Sequence, residues 1–95
     1  MIIGEVISRV VSTRKYDSLQ GFKLLVIQPC FGSKDDCFVA ADELGAGEGE
    51  LVLVARGQAA QHALIKDTPI DALVVGLIDE KPAINMSNID RKNEY

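Results

Sequence analysis

Tryptophan is absent from this 95-residue chain, and three Phe and two Tyr are all the aromatic side chains it has. Surfaces that hold single-stranded nucleic acid stack bases on aromatic rings inside a basic groove. Few rings and a formal net charge of −4 meet neither requirement. Anionic lipid is disfavoured for the same electrostatic reason. Cys30, Cys37 and His62 are the only cysteines and histidine, one ligand short of a zinc site and without a CxxC pair. No metal or cofactor is therefore expected, and in a reducing compartment both thiols should stay free. Apolar runs such as Ala72 to Ile78 are too short to cross a bilayer, and the first residues lack the layout of a signal peptide. The expectation is a cytoplasmic protein with no nucleic acid and no membrane among its partners.

Candidates for catalysis are equally scarce. His62 has no orienting acid or nucleophile near it in sequence, so it reads as a surface histidine. The acid pairs Asp35-Asp36 and Asp42-Glu43 fall in turn-like segments and are expected to face water. No residue is assigned to catalysis.

What is present is a β pattern. Ile2 to Ser12, Phe22 to Gln28, Cys37 to Ala41, Leu51 to Ala55 and Ala72 to Ile78 are short runs rich in β-branched residues, bounded by Gly, Pro, Asn, Asp or Ser. Pro29 should stop the second run, Gly32 to Asp36 should turn it into the third, and Gly57 should close the fourth. The fourth run is apolar enough to predict burial on both faces. Gln58 to Ile65 is the one helical stretch, ended by Thr68-Pro69. Five strands and one short helix in a chain of this length predict an all-β, five-stranded OB-like barrel over residues 1–81. A polar C-terminal tail, 82–95, is expected to order only against a neighbour. A helix between the fourth and fifth strands departs from the usual OB placement.

Charge is unevenly distributed. Residues 1–34 carry a net +3 and residues 35–54 a net −6, a split that suits head-to-tail contacts between copies. Within the acidic stretch, Gly45-Ala46-Gly47-Glu48-Gly49 fails as a dinucleotide fingerprint, because a strand follows it and its acids repel a pyrophosphate. Alternate glycines instead predict a tight backbone path, through positive φ or close approach to another chain, at Gly45, Gly47 and Gly49 alike. Residues 45–49 are accordingly the candidate subunit-contact loop.

Read together, Met1 to Val6, Leu19 to Pro29, Val39 to Val54 and Pro69 to Asp79 resemble, in order and spacing, the bacterial microcompartment vertex proteins of the EutN/CcmL family. The resemblance covers about four fifths of the chain. It implies an OB-like barrel forming a homopentamer, with no enzyme activity, that caps shell vertices beside hexameric shell proteins. The runner-up is an OB-like binding module for single-stranded nucleic acid or a cargo peptide. One departure is local: Gly57-Gln58-Ala59-Ala60-Gln61-His62 stands where the family often has serines and an arginine.

Overall fold

The computed structural model describes residues 1–32, 34–64 and 68–79. Five strands, β1 (Ile2–Val10), β2 (Lys23–Pro29), β3 (Phe38–Asp42), β4 (Leu51–Arg56) and β5 (Ala72–Ile78), enclose the core, and helix α1 (Gln58–Ala63) joins the last two. They form a closed barrel in the order β1-β2-β3-β5-β4. Neighbours run antiparallel except β3 and β5, which meet in parallel at Ala41 and Leu73. This is the predicted barrel, helix position included.

Alternation along the strands decides what lies inside. Val6, Leu25, Ile27, Ala40, Val52, Val54 and Val74 point inward and form the main core. β-branched and aliphatic side chains suit this role because they pack well on a pleated surface. Their neighbours in sequence point outward, and on β4 these are covered only at one end: Leu51 and Leu53 are half-exposed while Ala55 is buried, so the expected burial on both sides holds for part of the strand. Gly4 is inward too, and a Cβ there would lie 2.4 Å from Ile27 Cγ2.

A second cluster sits outside the barrel wall. Outward-facing Ala41, Ala55 and Leu73 are covered by Phe22, Ala60 of α1 and Ile70, with Leu19, Leu24 and Leu64 at the margin. Phe22 is thus drawn out of the second strand, and Leu64 already lies beyond the end of α1. The predicted helix extension to Ile65 falls outside the described residues. The Gln61 side-chain amide donates to the carbonyls of Thr68 and Ile70, and the Thr68 hydroxyl to that of Ser18 at 3.2 Å. The atypical segment after β4 therefore serves as a lid on this outer cluster.

The remaining boundary differences follow from pairing. β1 stops at Val10, its last residue paired with β2, opposite Leu24. β3 begins at Phe38 and extends to Asp42, which faces Lys23. Two register shifts leave one apolar residue unmatched each: Ile7 in β1 and Val75 in β5. Both are exposed, as expected where a bulge turns one side chain away from the ladder. At the barrel end holding Met1, Phe38 packs on the core with the Arg56 guanidinium 4.4 Å above its ring. The boundary between barrel and tail at residue 81, and the tail itself, lie outside the described residues.

Candidate assembly surface

The acidic glycine loop closes the opposite end of the barrel. It leaves β3 at Asp42, whose carboxylate is buried and accepts hydrogen bonds from the backbone N–H groups of Leu44 (2.8 Å), Gly45 (3.2 Å) and Ala46 (2.7 Å). The expectation that Asp42 faces water is therefore wrong: an Asp ahead of a turn finds its partners in the backbone that follows it. Glu43, its sequence neighbour, is exposed as expected. The Asp42 bonds tilt the loop so that the Ala46 methyl enters the main core, at 1% exposure. The Lys23 ammonium donates to the Ala46 carbonyl at 3.1 Å and fixes the plug from outside. Val6 then receives the loop through paired backbone bonds with Glu50 and Gly49.

Of the five residues in the candidate contact loop, Ala46 is thus committed to the chain's own core. Gly45, Glu48 and Gly49 are exposed and Gly47 is half-exposed. The three glycines also divide. Gly45 (φ +88) and Gly49 (φ +84) occupy the left-handed region, whereas Gly47 does not; a Cβ at Gly47 would meet only the Glu50 carboxylate tip at 3.1 Å. Gly45→Ala and Gly49→Ala should each cost about 1–2 kcal/mol, and Gly47→Ala well under 1 kcal/mol, since Glu50 can swing aside. Thermal or urea unfolding of the three variants checks this; equal losses at all three would contradict it.

Two apolar surfaces remain on the barrel exterior. On one wall, Ile3 and Glu5 of β1 stand beside Leu53 and Leu51 of β4, which face Gly76 and Ile78 of β5. Ile3, Leu51, Leu53 and Ile78 are half-buried and Glu5 is exposed. A cleft of roughly 420 Å³ beside this wall is lined by Glu5, Gln28, Cys30, Gly49 and Leu51. On another side, a groove of roughly 210 Å³ runs between the outer face of β2 and β3 (Leu24, Val39) and Pro69-Ile70-Asp71. At Leu19 it meets a shallower depression lined by Arg14, Lys15 and Tyr16. Val11, Tyr16 and Val39 are 78%, 73% and 48% exposed.

Other sequence candidates stay apart. His62 is exposed on α1, Cys30 is half-buried and Cys37 exposed, and neither cysteine is in a disulfide. No group of three or more His, Cys, Asp or Glu that could hold a metal occurs among the described residues. No helix among them is long and apolar enough to cross a membrane. Sequence reasoning missed the Asp42 latch and the groove; the first had a local signal, an Asp followed three residues later by Gly.

Comparison with known proteins gives this geometry a context. The family model described as "Ethanolamine utilisation protein EutN/carboxysome" matches residues 1–79. The carboxysome shell vertex protein CcmL of Thermosynechococcus vestitus is 43% identical, with both chains covered in full. Among solved structures, the GrpN pentameric microcompartment shell protein from Rhodospirillum rubrum superposes with a TM-score of 0.72 at 41% identity, covering 90% of this chain and 100% of that one. CcmL of Nostoc sp. PCC 7120 superposes with a TM-score of 0.76 at 43% identity, covering 85% and 92%. On a match running from the first residue through the end of β5, with the barrel shared throughout, this chain belongs to the EutN/CcmL family of shell vertex proteins.

Proposed function

We propose that this chain is a structural shell subunit, without enzyme activity, that closes into a ring of five and caps the vertices of a bacterial microcompartment in the cytoplasm. The observation that carries this reading is similarity along the whole barrel, at about two fifths identity, to a protein solved as a pentameric shell component. The physical need is geometric. A flat hexagonal layer cannot close on itself, so a polyhedral shell requires five-fold units at its corners. A wedge-shaped domain repeated by a heterologous contact supplies such a unit. Hexameric shell proteins are then the neighbours around the ring, and neither nucleic acid nor membrane is a partner. Within the ring, Gly45, Gly47, Glu48 and Gly49 contribute to the contact between copies, while Ala46 holds the loop to its own barrel.

Producing the hexagonal shell proteins of the same microcompartment with and without this chain tests the role. Closed polyhedra with five-fold density at the corners are expected when it is present, and open or elongated shells when it is omitted. Closed shells of ordinary shape in its absence would refute the vertex function.

A further inference from the structure

We infer that the ring contact joins the acid-rimmed β1–β4 wall of one copy to the basic-rimmed groove on β2 and β3 of the next. This inference rests on the five-copy ring proposed above. The strand order places wall and groove on different sides of the barrel, so they cannot meet within one chain. Copies related by rotation can bring them together, as a heterologous ring requires.

Both surfaces are apolar at the centre and charged, with opposite sign, at the edge. Ile3, Leu51 and Leu53 form the middle of the wall, half-buried in the single chain. Its rim holds Glu5 on β1 and Glu48, next to the Gly49 that shares a cleft with Glu5; both acids are exposed. The groove has Leu19, Leu24 and Val39 at its centre, and Arg14 and Lys15 where it opens beside Tyr16. Two acids stand near these bases: Asp71 lines the groove just ahead of β5, and the exposed Asp17 follows Tyr16, which leaves the β1–β2 connection with a net +1. Apolar burial supplies the drive for such a contact, and the rim charges set its register and oppose alternative pairings.

This arrangement uses part of the charge split in the sequence. Of the cations in residues 1–34, Arg14 and Lys15 lie on the β1–β2 connection, with Arg9 on β1 and Lys23 on β2. Of the acids in residues 35–54, Glu43, Glu48 and Glu50 lie on the loop that closes the barrel under the wall. The acids of one copy then face the bases of its neighbour around the whole ring.

Charge reversal on each face, singly and together, tests the pairing. Arg14→Glu with Lys15→Glu, and separately Glu5→Lys with Glu48→Lys, place like charges at every contact. Each pair of reversals should raise the chain concentration needed for half-assembly by about tenfold or more. Combining all four restores opposite charges and should recover most of the wild-type ring. Native mass spectrometry at a series of concentrations reads the ring fraction, and circular dichroism checks that the variants remain folded. Wild-type rings that persist unchanged in both reversed variants would overturn the assignment, as would a combined variant no better than either half. Intact rings of reversed chains that no longer enter shells would assign the charges to the hexameric neighbours instead, and also overturn it. A wild-type chain that is monomeric throughout would refute the ring itself, a separate failure.

Discussion

Asp42→Ala is expected to lower the unfolding free energy by about 3 kcal/mol or more, a large fraction of what a small domain possesses. The carboxylate accepts three backbone hydrogen bonds and is almost wholly buried. Removing it leaves the donors without partners, and the Ala46 N–H is buried where water cannot replace the lost oxygen. The loss spreads further, because the same bonds hold Ala46 in the core and bring Gly49 and Glu50 against Val6. Asp42→Asn should cost less, about 2 kcal/mol: one oxygen still serves Leu44, while the amide NH₂ opposes the donors of Gly45 and Ala46. Urea unfolding at fixed chain concentration is the measurement, since assembly would otherwise add to apparent stability. A midpoint for Asp42→Ala within experimental error of wild type would show that the loop holds itself without this latch.

Gly4→Ala should cost about 2–3 kcal/mol, the upper part of the range for an overpacked core. The added methyl would stand 2.4 Å from Ile27 Cγ2 and 3.1 Å from the Gln28 carbonyl. Neither can retreat easily: the carbonyl is backbone, and Cγ2 belongs to a β-branched side chain that is fully buried. Ile27→Ala alone should cost about 3 kcal/mol through the cavity it leaves. The double variant should lose clearly less than the two single losses added together, because the new methyl occupies space that Cγ2 vacates. Additive losses in this cycle would mean that the strand moves apart and the two positions do not share one packing site.

The barrel was legible because hydrophobic alternation and turn chemistry agree along most of the chain. β5 is found at its predicted bounds; β1 and β4 differ by two residues and one residue at their C-terminal ends, and β2 and β3 are each shifted by one residue at both ends. Those ends depend on which residue stands opposite, and pairing partners do not show in local sequence. Val11 continues the pattern of β1 yet lies one residue past its last pair with β2. The bulges at Ile7 and Val75 were hidden for the same reason, being properties of two strands in register. Glycine spacing pointed to the loop, but the three glycines looked alike in sequence. Only the backbone path separates Gly45 and Gly49 from Gly47. Asp42 was misread because its charge was weighed and its short reach to the following amides was not. The outer groove was invisible because Leu19, Val39 and Ile70 come from three separate segments.

The wall and the groove change the meaning of the acidic loop. Its first half is an internal closure, anchored by Asp42 and plugged by Ala46. Its second half, around Glu48, is the portion available to another copy. One short segment thus links barrel integrity to assembly, and variants at Asp42 should weaken rings only as far as they unfold the chain.

The ring of five is tested most directly by the mass of the full-length chain in solution. Native mass spectrometry at low micromolar concentration should give a dominant species of five copies, with few monomers and no comparable six-copy peak. A stable monomer, or a ring that is only six-fold under the same conditions, would contradict a vertex subunit.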